Sequence, residues 1–332
     1  MGLPRTAPDG VLFTSYNAYD LFLDESPRGC ERYRLVVDTI RGVGPDVLAV
    51  QEIRAGDEDT ARRRLRQLAA DTGLECMVPG LDGGAARPAL AIGSHGYHLA
   101  LLWRDPVQPV PGSLRTRARD FWHALASVVL DVGGQRVRHA CYHAPPFGRA
   151  LRADESELVV AALTRAGGPL PAIIGADWNG ESADRLPDDA GRWHLYEPAD
   201  PYRDVEWFAD MAYQCQWDYD DQGRRRHRAD RSAGEVLWAG GLHDAAAVLR
   251  APWQPTTGHH ADDPYAARGI RRRIDAIRVT SHLRGALRAY HVADGDPARR
   301  ASDHLAVTAE YLPSAIIPNG ASAQSGPNAS ET

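Results

Sequence analysis

Two short runs in this chain are apolar throughout and end on a carboxylate. Asp46–Gln51 (DVLAVQ) leads into Glu52, and Leu170–Ala176 (LPAIIGA) leads into Asp177. A strand with no polar alternation is buried on both faces, which is the condition of a sheet covered by other layers. Such a strand ordinarily surrenders to solvent in a turn. A carboxylate placed where it emerges sits at the end of a sheet, where α/β architectures put their sites.

The rest of the pattern fits layers around such sheets. Val11–Tyr16, Leu99–Trp103, Ala124–Asp131, Gln135–His143, Arg273–Thr280 and His304–Leu312 read as further strands. Val132-Gly133-Gly134 marks a hairpin between Ala124–Asp131 and Gln135–His143. Helical spacing runs through Arg28–Val43, stopped by Gly42, Gly44 and Pro45, and through Asp57–Thr72 and Ala153–Ala166. A short helix is expected near 242–249. The expected architecture is α/β: two mixed sheets packed face to face with helices outside. The stretch 181–238, rich in Asp, Arg, Trp and Tyr with weak periodicity, reads as a long surface excursion with one helix near 204–213. No internal repeat stands out. One domain over 1–312 is expected, followed by a disordered tail over 313–332 rich in Pro, Asn, Gly, Ala and Ser.

Composition narrows the function. With 332 residues, 43% hydrophobic and 25% charged, the chain can bury a core without disulfides or structural metal. All 38 basic residues are arginine and the net charge is −6, which excludes a basic nucleic-acid-binding domain. Cys30, Cys76, Cys141 and Cys215 show no ligand-like spacing, and sparse cysteine suits a reducing compartment. No leader pattern opens the sequence and no run has the length of a membrane helix, so a cytoplasmic protein without a membrane or obligate protein partner is expected.

Polar residues recur at the strand ends: Asn17, Glu52, His143, Asp177 with Asn179, Asp275, and Asp303-His304. Taken singly, each has an ordinary reading as a turn, cap or solvated residue. As an ordered set, SYN17, VQE52, YH143AP, IIGAD177WN179, RID275AIRV and ASD303H304 resembles the endonuclease/exonuclease/phosphatase superfamily, which includes DNase I-like nucleases, exonuclease III-like enzymes, sphingomyelinases and inositol phosphate phosphatases. The resemblance runs from about residue 11 to 311. It implies a four-layer α/β sandwich with a site at one edge of the two sheets.

It also implies roles. Glu52 would hold Mg²⁺, or Mn²⁺, with Asn17 and Asp303 nearby, since a hard cation needs only one or two carboxylates and keeps its waters. Asp177 would orient and deprotonate the attacking water, and Asn179 would hydrogen-bond the scissile phosphate. His304 would answer the phosphoryl charge, with Asp275 fixing its tautomer, and His143 would face the phosphate or the leaving group. In DNase I-like members a carboxylate ahead of the core hairpin backs the first histidine. Here that region reads Ser94-His95-Gly96-Tyr97-His98-Leu99 and contains no acid.

Three arginine clusters remain: Arg115–Arg119, Arg224–Arg228 and Arg271–Arg273. In a chain without lysine the first two read as solvated surface. Arg271 and Arg273, just ahead of Asp275, are expected at the rim of the site as phosphate ligands. Trp207, Trp217 and Tyr219 are expected to pack the excursion onto the sandwich rather than stack on a base. The expected activity is metal-dependent phosphoester hydrolysis, by a nuclease or phosphodiesterase. The alternatives are a phosphoesterase for a small phosphorylated metabolite and a non-catalytic binding module on the same fold.

Overall fold

The computed structural model describes residues 2–165, 170–197 and 199–317. Two sheets form its centre. From edge to edge, the first is a six-stranded sheet ordered Leu287–Val292, Val307–Tyr311, Val11–Leu21, Val47–Arg54, Tyr97–Trp103 and Leu90–Ala91. The second runs Leu242–Asp244, Asp275–Thr280, Ala172–Asp177, Gln135–His143, Ala124–Val132 and Gln108–Pro109, with Arg115–Arg117 also paired to Ala124–Val132. In each sheet one central pair is parallel, Val11–Leu21 with Val47–Arg54 and Gln135–His143 with Ala172–Asp177, so both sheets are mixed.

Alternation along each strand divides the core into layers. Val47 and Ala49 point between the sheets to meet Ala126, Val128, Cys141, Ile173 and Ile277. Leu48 and Val50 point outward, where Val36 and Ile40 of helix Pro27–Val43 and Leu65 and Leu68 of helix Glu58–Thr72 cover them. On the far side Val159 and Leu163 of helix Arg149–Thr164 cover Ala140, Tyr142, Ile174 and Ala176. That is the four-layer sandwich. The two apolar runs are unpatterned because both of their faces are covered. Gly175 marks how close the sheets come below the site, since a Cβ there would lie 2.6 Å from the Ser15 Cβ.

Strand and helix limits depart from the sequence reading mainly at their ends. Helix Arg149–Thr164 begins four residues before the expected Ala153, and the last strand begins at Val307, which leaves Asp303 and His304 in the loop before it. The hairpin glycines Gly133 and Gly134 both have positive φ, 62° and 83°, as a tight turn between right-twisted strands demands.

The excursion over 181–238 has more regular structure than its periodicity suggested. It contains two hairpins, Arg185–Pro187 with Trp193–Leu195 and Cys215–Tyr219 with Arg225–Ala229. Helix Ser232–Ala239 adds an outer element packed on helix Arg149–Thr164, and the expected helix near 204–213 is only the turn Met211–Gln214. Both hairpins turn on the same chemistry, Asp188-Asp189-Ala190-Gly191-Arg192 and Asp220-Asp221-Gln222-Gly223-Arg224. In each the first Asp accepts two backbone N–H groups at 2.9 Å and pairs with the Arg four residues on. Trp207 packs edge-on against Trp217 at 5.2 Å, so those rings serve packing.

The expected tail boundary at Pro313 falls too early. Pro313–Ala315 forms a 3-10 turn and Ile316 is 6% exposed in the inter-sheet core, because the chain leaves the last strand over the open end of that core. The remainder of the expected tail, 318–332, lies outside the described residues. Among the described residues no helix is long and apolar enough to cross a membrane.

Candidate active site

Register builds the site. His143 pairs with Asp177, and Asp177 with Asp275, so three neighbouring strands of the second sheet end in one row of functional side chains. Facing them, the first sheet breaks its register between Asn17 and Leu21 and between Val50 and Ile53. Such an irregularity re-aims a side chain. Here it holds Glu52 at φ +66°, a left-handed conformation that a non-glycine residue rarely adopts. Asn179 stands at φ +49° two residues past Asp177. Strain of this kind persists only where surrounding structure imposes it.

Asp177 is the hub, 2% exposed. Its Oδ2 accepts from Asn17 Nδ2 at 3.0 Å and lies 3.3 Å from His143 Nε2 and 3.8 Å from His304 Nε2. Its Oδ1 accepts the Asn179 N–H at 2.9 Å. Burial works against its charge, but the charge of His304, the hydrogen bond from His143 and the Asn179 N–H hold its pKa below the usual carboxylate range. His304 Nδ1 bonds Asp275 Oδ2 at 2.8 Å. Burial alone would discharge His304, yet Asp275, Asp303 and Asp177 together push its pKa well above the ordinary imidazole value. Asp275 itself is pushed up by burial, and its Oδ1 has no hydrogen-bond partner.

Asn17 lies between Glu52 and Asp177 and donates to both, at 3.0 Å each, while its own oxygen accepts the Tyr19 N–H. It therefore presents its amide nitrogen to the carboxylates and keeps its oxygen turned to the backbone. Glu52 Oε2 accepts the Asp20 N–H at 2.7 Å. Asp303 Oδ1 is buried without a partner, 3.9 Å from His304 Nε2, and burial, reinforced by Glu52, raises its pKa to about 7. Asn179 Nδ2 donates to the Ala144 carbonyl at 3.0 Å, which anchors it beside the row.

His143 has no carboxylate behind it, as its sequence context foretold. A ring takes that place. His123 stacks on His143 with centroids 4.1 Å apart and planes 14° off parallel, and Tyr97 meets His123 edge-on at 5.5 Å beneath the Arg54 guanidinium. Burial drives the His123 pKa down to about 2, so it stacks as a neutral ring. Burial also opposes charge on His143, but the hydrogen bond and charge of Asp177, with Glu52 beyond, lift its pKa above the usual value.

Not every expected residue arrives. Arg273 was expected at the rim but is 1% exposed, its guanidinium forked onto Asp244 at 2.7 and 2.8 Å and bonded to Glu197 at 3.0 Å. Two buried carboxylates leave it no freedom to reach a phosphate. Arg271 is exposed and lies outside the lining of the site cavity. His95, Tyr97, Trp122, His123 and Phe147 do line that cavity, and strand-end reasoning missed them. One signal was available for His123, a polar residue entering an apolar strand at Ala124.

The profile of the Endonuclease/Exonuclease/phosphatase family matches residues 14–304. The chain belongs to that family. No curated protein matches it. Among solved structures, an endonuclease/exonuclease/phosphatase from Bacteroides vulgatus is 15% identical, with a TM-score of 0.58 over 91% of this chain and 98% of that one. A mannosyl-6-phosphatase of Bacteroides thetaiotaomicron is 16% identical at TM-score 0.55, over 90% and 98%. A 3'-5' exonuclease from Neisseria meningitidis is 19% identical at TM-score 0.54, over 91% and 99%. At these identities the likeness shows the shared fold. Members of the family are hydrolases of phosphoester bonds.

Proposed function

We propose that this family member is a divalent-metal-dependent phosphoesterase acting on small phosphodiesters. The observation that carries the reading is the low-pKa Asp177 held between His143 and His304, with Glu52 and Asn17 facing it. The opposing carboxylates fit a hard cation: Glu52 adds to the cost of ionising buried Asp303, Asp303 Oδ1 has no partner, and no arginine lines the cavity beside Glu52. Glu52 and Asp303 would hold Mg²⁺ or Mn²⁺, with Asn17 orienting Glu52. When bound, the ion neutralises phosphoryl oxygens as charge grows in the displacement. Asp177 accepts the proton of the attacking water, and Asn179 holds a phosphoryl oxygen. His304, kept charged by Asp275, answers the charge on the phosphoryl group. His143 hydrogen-bonds the phosphate or the departing oxygen.

Substrate size follows from the cavity, about 350 Å³. That is near the low end of ligand pockets, about 300–1,000 Å³. A duplex-tracking nuclease neutralises many phosphates and loses affinity steeply with salt. The arginines of Arg115–Arg117 and Arg225–Arg228 lie on surface strands, outside the site cavity. The test is a panel of plasmid, single-stranded DNA, RNA, bis-p-nitrophenyl phosphate and phosphomonoesters, run with chelator and with Mg²⁺ or Mn²⁺ restored. Metal-restored hydrolysis of the small diester, weakly salt-dependent, is the expected result. Activity unaffected by chelation, or efficient duplex cutting that collapses between about 50 and 200 mM salt, overturns it.

A further inference from the structure

The catalytic row forms only part of the cavity lining. The rest is Trp122, Tyr97, His95, His123, Pro146 and Phe147, without a cation other than histidine. In a chain with 38 arginines, a phosphate-rich or anionic ester group would have found guanidinium here. Flat rings occupy the place instead.

The segments that carry those rings are fixed from behind. The Trp122 backbone N–H donates to Glu155 Oε1 at 2.6 Å, and the other oxygen of that buried carboxylate accepts from Tyr142 at 2.7 Å. His95 lies 5.1 Å from the Trp122 ring at φ +58°, its carbonyl bonded by Arg54 at 2.9 Å. The Arg54 guanidinium in turn covers Tyr97 at 3.8 Å. Phe147 packs edge-on against Tyr213 of the excursion at 5.0 Å, and the Tyr213 carbonyl accepts from buried Arg152. Yet Phe147 remains 52% exposed and His95 is exposed, so neither contributes much to the core. Rings held in position but left uncovered cost the fold solvent-exposed apolar surface and preorganise a surface for a ligand ring.

We propose that this wall is a subsite that stacks one neutral planar ring of the ester group on the scissile phosphate, with Trp122 as the main platform. The inference rests on the phosphoesterase reading above and adds the chemical class of the substrate: a phosphoester of an aryl alcohol or of a nucleoside. Loss of a stacking ring costs roughly 5- to 150-fold in affinity per ring.

Calorimetric titration of the Mg²⁺-supplemented protein with methyl-, cyclohexyl- and phenylphosphonate, and with thymidine monophosphate, tests it without turnover. Phenylphosphonate is expected to bind at least 5-fold tighter than the methyl and cyclohexyl analogues, about the lower limit of a single stacking interaction. Trp122→Ala should erase that advantage while leaving methylphosphonate affinity in place, and Trp122→Phe should retain most of it. A Trp122-dependent gain for thymidine monophosphate as well supports the nucleoside source, and a gain for phenylphosphonate alone supports the aryl one. Equal affinity for all three phosphonates, or a ring preference that survives Trp122→Ala, overturns the subsite and leaves the phosphoesterase reading standing. Failure of every phosphonate to bind overturns that reading, and the subsite with it.

Discussion

His139 and His304 are both buried, and their surroundings drive them in opposite directions. His139 lies midway along its strand between the sheets, where Tyr311 Oη at 2.9 Å and the Val137 carbonyl at 3.2 Å are its partners. Without a carboxylate nearby, burial takes its pKa down to about 3. His304 lies in the loop at the sheet ends, beside Asp275, Asp303 and Asp177, which more than offset the same burial and raise its pKa well above the ordinary imidazole value. The middle of this sandwich thus enforces neutrality, while its end concentrates charge. Chemistry needs the end, where solvent, substrate and clustered carboxylates meet.

The sharpest way to break that comparison is to remove function from the end and from the middle in parallel. Asp177→Asn and His304→Ala should each lower kcat by about 10²–10⁴-fold, as loss of a catalytic acid or base does. Glu52→Gln should fall at least as far at limiting Mg²⁺, whereas His139→Phe should leave kcat within a few-fold. Steady-state rates on bis-p-nitrophenyl phosphate decide it, and a His139 variant as impaired as His304→Ala would dissolve the distinction.

A buried charge outside the catalytic row should reveal itself as stability instead. Arg273→Ala leaves Asp244 and Glu197 uncompensated, and breaking a buried pair costs about 3–5 kcal/mol. Urea unfolding should show that loss, and kcat of the folded fraction should not change. If the variant keeps its stability but loses substrate affinity, Arg273 belongs with the phosphate ligands after all. On the same footing, Ile316→Ala should cost about 2–5 kcal/mol, as core truncations do, because that residue closes the inter-sheet core.

The smallest effect per pH unit is the most discriminating about the two histidines. His139 binds its proton only below about pH 3 when folded but near pH 6.5 when unfolded. The unfolded state therefore takes up the proton first, and stability falls as pH drops from about 6.5 towards 3, by at most about 1.4 kcal/mol per unit. His304, with its raised pKa, has the opposite sign: its contribution is present below about pH 6.5 and is lost as pH rises through the folded value. His139→Phe should flatten the acid limb of the stability profile measured by urea melts, and His304→Ala should not. Identical acid limbs in both variants would show that the two sites share one environment.

The layers were legible because burial on two faces leaves an unpatterned apolar run, and the row of strand-end residues because a polar group there interrupts that run. Asn17, Glu52, His143, Asp177, Asn179, Asp275, Asp303 and His304 stand in the primary sequence as interruptions. The hairpins at 181–238 had a signal too, in the repeated Asp-Asp-x-Gly-Arg turn, but their strands are largely solvent-exposed and carry no apolar period. Arg273 was misplaced because Asp244 and Glu197, which capture it, are 29 and 76 residues away in the chain.

What the sequence determined by itself is local: which runs are buried, where they end, and which polar groups stand at those ends. Tertiary structure decided which ends meet. Strand register aligned His143, Asp177 and Asp275, a broken register turned Glu52 to face them, and a ring from the bend before a neighbouring strand took the place of the carboxylate that His143 lacks. Stacking, ion pairing and shared burial are contacts between residues distant in the chain, so the sequence names the participants while the packed sheets choose the partners.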